Sequence, residues 1–188
     1  MLPEIVQKGK ALKILPMTHE FLRRKITTRL EFPLSRELRD LILLTGQTLK
    51  GDLEYFTGRA LGISANQVGM DYRFFVMQNL GFLRSRKLKY VLNPSIVYKS
   101  EDLHETEEGC LSMGEILAFN NRSKKIRVEY QDLDGRPVNE LLEGTESFVF
   151  QHEVDHLNGI LMTDNSVKQV VNDEYVEYYA KLKGRLVK

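Results

Sequence analysis

Two histidines four residues apart, with a carboxylate directly after the first, are the part of this chain best suited to chemistry. They lie in the segment QHEVDHL, residues 151–157. On an α-helix, residues i and i+4 share a face, so His152 and His156 can bind one metal ion. Glu153, about 100° around the helix, can reach a water molecule on that metal without binding the metal itself. Because a metal lowers the pKa of its water from about 15.7 towards roughly 7, the pattern predicts metal-assisted hydrolysis of a carbonyl compound. The alternative is an ordinary amphipathic helix with two surface histidines.

A histidine pair needs a third protein ligand to make a catalytic site with one open position. The single cysteine, Cys110, lies in the segment EGCLS, residues 108–112, and is a candidate because a metal deprotonates a coordinating thiol. A buried hydrophobic role is the ordinary alternative for a lone cysteine. Glu174 and Glu177 follow the histidine pair and are rival ligands, in the manner of a metallopeptidase. Neutral imidazole ligands suit zinc, iron, cobalt or nickel.

A third segment, GISANQ at residues 62–67, combines small residues with one amide side chain. By itself it is typical of a loop that enters a strand. Together with EGCLS and QHEVDHL, in that order along the chain, it resembles the peptide deformylase family. The resemblance covers roughly residues 1–165.

The resemblance implies a set of site residues and a substrate. The implied metal ligands are Cys110, His152 and His156, and the implied ion is Fe²⁺, with Zn²⁺, Ni²⁺ or Co²⁺ as substitutes. Glu153 would act as the base. The Gln67 amide and the backbone N–H of Leu111 would stabilise the negative charge that develops on the formyl oxygen. The implied reaction removes the formyl group from the N-terminal formyl-methionine of newly made polypeptides and releases formate.

The substrate pocket is expected around Gly62, Phe148 and Val149, since Phe148 and Val149 precede His152 by four and three residues and share its helix face. Two departures from the family pattern bear on the site: Ser64 replaces a usual alanine, and Leu117 replaces an arginine that holds the peptide backbone. Arg122 stands where a second, structural arginine is expected.

Length and composition are those of one catalytic domain over residues 1–188. The chain is 42% hydrophobic and has a net charge of +1, so bulk charge does not indicate specific nucleic acid binding. We expect neither a signal peptide nor a membrane-spanning segment, because the sequence shows no apolar run of either kind. A single cysteine cannot form an intramolecular disulfide, which fits a reducing compartment. The cytoplasm is therefore favoured over an organelle. Formylated nascent peptides, with a transient ribosome contact, are the expected partners.

The predicted elements are segregated along the chain, which favours an α+β fold: antiparallel or mixed sheets around a central helix that carries the motif. Ser35 is expected to cap a helix over about 36–50, and Thr145 to cap the motif helix, which should end near Gly159. A helical tail is expected from about 166 to 188. The predicted strands are Tyr72–Gln78, Lys89–Ser100, Lys125–Asp132 and, after a turn at residues 132–135, Arg136–Leu142.

Two other functions fit parts of the pattern. One is a zinc metallopeptidase that takes Glu174 or Glu177 as its third ligand. The other is a non-catalytic module that binds a metal or a formyl peptide. The carboxylate of Glu153 favours an enzyme, because binding alone needs no base at that position.

Overall fold

Two helices and ten strands make up the described part of the chain, residues 3–6, 11–55, 60–80 and 87–172 of the computed structural model. Short 3-10 turns lie at Glu20–Arg23 and Ala65–Val68. In chain order the elements are β1 (Ile5–Val6), β2 (Ala11–Leu12), α1 (Arg36–Tyr55), β3 (Gly62–Ser64), β4 (Phe74–Gln78), β5 (Leu88–Lys99), β6 (Leu103–Gly109), β7 (Ile116–Ser123), β8 (Lys125–Gln131), β9 (Pro137–Glu143), α2 (Thr145–Leu157) and β10 (Lys168–Val171).

The strands form three antiparallel sheets. The largest has the order β3-β4-β5-β8-β9, the second has the order β10-β7-β6, and β1 pairs with β2. Within the described residues, β3 and β6 are therefore edge strands of two different sheets. The predicted α+β class is confirmed.

Helix α1 begins as its sequence predicts and is longer than predicted. The backbone N–H of Leu38 donates to Ser35 Oγ at 3.2 Å, so Ser35 satisfies one of the free donors of the first turn. Ile42 and Leu49, seven residues apart, are both fully buried against the sheet. The helix continues to Tyr55 instead of ending near residue 50.

The four predicted strands are all present, as β4, β5, β8 and β9, with ends shifted by one or two residues. In β8, buried Ile126, Val128 and Tyr130 alternate with exposed residues, the period expected when one face of a sheet is covered. The turn between β8 and β9 closes through the N–H of Gly135, which donates to the Asp132 carbonyl at 3.0 Å.

Helix α2 carries the motif and packs between the two larger sheets, touching β3, β4, β7 and β9. The prediction that Thr145 caps this helix is wrong. Gly144, with φ of 57°, is the N-cap, and its carbonyl accepts the Phe148 N–H at 3.0 Å, so Thr145 is already the first helical residue. The predicted end is confirmed: Gly159, with φ of 76°, directly follows the C-cap residue Asn158.

Six of the ten described strands were not predicted from the sequence: the short strands β1, β2 and β3, and the strands β6, β7 and β10. Strands β6 and β7 form a hairpin that was not predicted. The tail that was expected to be helical from about residue 166 instead forms β10, in which Lys168 pairs with Phe119 of β7. The rest of that predicted helix, residues 173–188, lies outside the described residues.

Neither described helix is both long and apolar enough to cross a membrane.

Candidate active site

Cys110, His152 and His156 come together into one group of ligand-type side chains. One ligand atom from each residue lies within 4.8 Å of the other two, and within the described residues this is the group of three or more that could hold a metal ion. Cys110 Sγ lies 3.2 Å from His156 Nε2, and the two imidazole centroids are 4.9 Å apart. The rival ligands Glu174 and Glu177 lie outside the described residues.

Two layers of the fold supply these ligands. The histidines project from successive turns of α2, whereas Cys110 comes directly after β6, whose pairing with β7 sets its position. A thiol and two imidazoles are ligands for zinc, iron, nickel or cobalt, and one open position would remain for water or substrate. The group therefore fits a catalytic metal ion.

A buried ionic network holds the first histidine. His152 Nδ1 lies 2.8 Å from Glu108 Oε2. Arg122 donates to both oxygens of Glu108, from Nε at 2.7 Å and from Nη2 at 3.0 Å, and its third donor contacts Asp155. Burial raises the pKa of Glu108, but the hydrogen bonds from His152 and Arg122 outweigh it and lower that pKa to about 2. Glu108 is therefore an anion that orients the ring of His152.

The pKa values of the two imidazoles are shifted in opposite directions, because both rings are buried but their partners differ. Burial and the neighbouring His152 lower the pKa of His156 well below its usual value, so this ring is neutral. Burial also lowers the pKa of His152, but hydrogen bonds to Cys110 and Glu108 outweigh it and raise that pKa well above its usual value.

Glu153 lies beside the ligand group and is almost completely buried, with 2% of its surface exposed. Its Oε2 accepts a hydrogen bond from Ser64 Oγ at 2.6 Å. On its other side it packs on Gly62, where an added Cβ would lie 2.8 Å from the carboxyl carbon. Burial raises the pKa of Glu153. A carboxylate whose pKa is raised is a stronger base than a solvated one, so Glu153 is suited to accept a proton.

The amide of Gln67 reaches the same place from the 3-10 turn that follows β3. Its Oε1 accepts the N–H of Ser64 at 2.8 Å, which fixes the orientation of the amide. Its Nε2 donates to Ser112 Oγ at 3.1 Å and to Cys110 Sγ at 3.4 Å. Gln67 thus presents a donor at the edge of the ligand group.

A cavity of about 390 Å³ opens onto these side chains. Of the nine site residues predicted from the sequence, eight line it, and the ninth, His156, is buried behind it against Cys110. The eight lining residues are Gly62, Gln67, Cys110, Leu111, Phe148, Val149, His152 and Glu153.

Ser64 and Leu117, which the sequence analysis connected with the site, do lie there, and His104 joins them. Leu117 lines the cavity opposite Gly109 of β6, with 3.4 Å between its Cδ2 and the position of a Cβ on that glycine. His104 also lines the cavity, and its ring stacks on Phe148 with centroids 5.5 Å apart. Ser64 contacts the carboxylate of Glu153. Local sequence does not predict the contacts of His104 with Phe148 and of Ser64 with Glu153, because each joins residues far apart in the chain. Leu117, in contrast, faces Gly109 across the β6–β7 hairpin.

The fold and the site together define an α+β protein in which a helix carries two histidines that could hold a metal and a buried carboxylate, and the cysteine that follows β6 completes the group. The sequence matches the polypeptide deformylase family profile over residues 11–172. The chain belongs to this family. The family is metal-dependent, in agreement with the ligand group found here.

Individual relatives agree with this assignment. A peptide deformylase from Thermotoga petrophila is 46% identical over 104 residues, which are 55% of this chain. That alignment spans 60% of the relative's own length. The crystal structure of peptide deformylase from Thermotoga maritima superposes with a TM-score of 0.74 at 35% identity, covering 84% of this chain and 99% of that one. The Synechococcus elongatus enzyme in complex with actinonin gives a TM-score of 0.73 at 26% identity, covering 96% of this chain and 90% of that one.

Proposed function

We propose that this protein is a peptide deformylase, which hydrolyses the N-formyl group of formyl-methionyl peptides from newly made polypeptides and releases formate. The observation that carries the proposal is the buried carboxylate of Glu153, which lines one cavity together with two of the three ligand-type side chains. A site that only stored a metal would not need a proton acceptor in that position.

The residues that would hold the ion are Cys110, His152 and His156, and Fe²⁺ is the proposed native ion, with Zn²⁺, Ni²⁺ or Co²⁺ as substitutes. When bound, the ion acidifies a water molecule and polarises a carbonyl group. Glu153 accepts one proton from the attacking water. As the bond between the formyl carbon and nitrogen breaks, Glu153 delivers that proton to the leaving amine, so the products are formate and a free amino terminus.

Two donors are proposed to stabilise the negative charge on the formyl oxygen: the amide of Gln67 and the backbone N–H of Leu111. Both hydrogens of the Gln67 amide have acceptors in this structure, Ser112 Oγ and Cys110 Sγ. Sulfur is the weaker acceptor, so the formyl oxygen would replace it. Removing one donor of this kind typically lowers the rate about 10²–10³-fold.

The wall of the cavity is proposed to hold the methionine side chain. Phe148 and Val149 are half-buried and line the cavity one helical turn before His152, and Gly62 of β3 lines it as well. Filling such a pocket with a thioether chain contributes on the order of 1.5–3 kcal/mol.

The test is hydrolysis of formyl-Met-Ala-Ser by protein prepared and loaded with Fe²⁺ under anaerobic conditions. We expect one formate and one free amino terminus for each peptide consumed. Release of Ala-Ser without formate would instead identify a metallopeptidase. Saturable binding of the peptide with no product would identify a binding module. The Glu153→Gln variant, loaded in the same way, is the matched control for background hydrolysis.

A further inference from the structure

The hydroxyl of Ser64 makes its closest contact with the carboxylate of Glu153. Ser64 Oγ lies 2.6 Å from Glu153 Oε2 and 3.0 Å from the carbonyl oxygen of the same residue. Both side chains are buried, with 0% and 2% of their surfaces exposed. Water therefore does not compete for this hydrogen bond, and a donor to an ionised oxygen in such a place is strong.

We propose that Ser64 is a positioning residue for Glu153: its hydroxyl holds Oε2, so that Oε1 is the oxygen that exchanges the proton. This inference rests on the function proposed above. It adds to that function a residue that does not touch the substrate and acts only through the base.

Gly62, two residues before Ser64 on the same strand, packs against the other side of the Glu153 carboxylate. A Cβ at Gly62 would lie 2.9 Å from Glu153 Cγ and 2.8 Å from its carboxyl carbon, and Oε1 would be closer still. Oε1 therefore packs directly against the backbone of a residue that lines the cavity. Strand β3 thus holds one oxygen by a hydrogen bond and leaves the other beside the cavity.

Ser64 is itself held firmly enough to orient its partner. It pairs with Phe75 of β4, and its N–H donates to Gln67 Oε1 at 2.8 Å. One residue therefore fixes both the amide of Gln67 and the carboxylate of Glu153. The Glu153 side chain cannot rotate freely. Its backbone belongs to α2 and its carboxylate is hydrogen-bonded to β3, and this helix and strand pack together.

The experiment compares kcat and KM for formyl-Met-Ala-Ser in wild type and Ser64→Ala. We expect kcat to fall about 10-fold, part of the roughly 10²–10⁴-fold that a positioned base contributes, while KM stays within a factor of two. In a Glu153→Gln background, adding Ser64→Ala should leave the residual rate unchanged, because no base remains to be positioned. Ser64→Thr, which keeps a hydroxyl, should retain more of kcat than Ser64→Ala.

The matched control is Ser147→Ala, which also removes a fully buried hydroxyl, but one that donates to the Ser123 carbonyl at 2.7 Å and accepts from Gln151 Nε2 at 3.0 Å, with no contact to Glu153. It should lower the thermal unfolding midpoint and leave kcat unchanged. An active wild type with an unaltered kcat in folded Ser64→Ala would overturn the inference. An equal loss in both backgrounds would overturn it as well, since the effect would then not pass through Glu153. A wild type without formate release would overturn the proposed function instead.

Discussion

His152 Nδ1 and Glu108 Oε2 lie 2.8 Å apart, although 44 residues separate them in the chain. This contact leaves Nε2 as the nitrogen of His152 that is available to a metal. Arg122 fixes Glu108 in turn, through both of its carboxylate oxygens. The orientation of one ligand thus depends on an ion pair within the β6–β7 hairpin, and partners of this kind typically change metal affinity 10–100-fold when they are removed.

Replacing a ligand should remove the metal. We expect Cys110→Ala and His152→Ala to lower bound metal to well below one ion per chain, because two ligands bind a divalent ion much more weakly than three. Elemental analysis of protein purified anaerobically measures this. His104→Ala, which removes an exposed histidine outside the ligand group, should keep full occupancy. Full occupancy in Cys110→Ala would show that the third ligand is a different residue.

The ion pair of Glu108 should make stability depend on acid pH. Its pKa is lowered from the usual 4.5 to about 2 in the folded protein, so its contribution is complete above about pH 4.5 and is lost as the pH falls towards 2. Glu108→Gln should lower the free energy of unfolding at pH 7 by up to about 3–5 kcal/mol, because it leaves buried Arg122 with Asp155 as its remaining carboxylate partner. The same substitution should also make the free energy of unfolding depend less on pH between about pH 2 and pH 4.5.

Urea unfolding of the metal-free protein at pH values from 2.5 to 7 (about the window set by that shift) measures both effects of Glu108→Gln. Glu107→Gln is the control, since Glu107 is exposed on the same strand. A Glu108 variant with wild-type stability at pH 7 would contradict the assigned ion pair.

Removing the base should abolish turnover without removing the metal. Glu153→Gln keeps the size of the side chain and can still contact Ser64, but it cannot accept a proton. We expect the rate of formate release to fall roughly 10²–10⁴-fold at unchanged metal content. Near-normal turnover would reject Glu153 as the base, and loss of metal together with activity would give it a structural role.

The stacked pair of Phe148 and His104 should determine the width of the cavity. Phe148→Ala removes the ring on which His104 stacks, so the pocket widens and fits a methionine side chain less well. The expected change is roughly 10–200-fold in the ratio of kcat/KM for formyl-Met against substrates with a larger first side chain. An unchanged ratio would place the side-chain pocket elsewhere in the cavity.

Leu117→Arg should favour longer peptides. Leu117 lines the cavity and offers no donor, whereas a guanidinium at this position could hydrogen-bond to the carbonyls of the peptide. We expect kcat/KM to rise for formyl-Met tetrapeptides relative to dipeptides. Leu117→Met serves as the control for a long side chain without charge. A variant that gains nothing on the longer substrates would show that this position does not contact the peptide.

The parts of the fold that could be predicted are those with a clear local period. Helix α1 and strand β8 each bury one face, so the spacing of their apolar residues predicts them. Strand β6 was not predicted because its sequence, LHETEEG, contains three acids and has no apolar face. It is a strand because it pairs with β7, and because Arg122 on that neighbour neutralises Glu108. Pairings between distant residues of this kind cannot be obtained from local sequence.

The proposed ligand set could be predicted from spacing and resemblance, since His152 and His156 share a helix face whatever surrounds them. The contacts that orient the site residues could not be predicted in this way. The hydrogen bond from Ser64 to Glu153 joins residues 89 positions apart. Similarly, Gly144 replaces Thr145 as the helix cap because a positive φ turns the chain sharply from β9 into α2, a conformation that the threonine would adopt only with strain.

The cavity lies between two sheet edges, with β3 on one side and β6 on the other. Edge strands carry backbone N–H and C=O groups that can pair with an extended chain. A peptide entering between them would be recognised through its main chain, which is the same for every sequence. Selection would then rest on the first side chain alone, and the same protein could process the ends of very many different polypeptides.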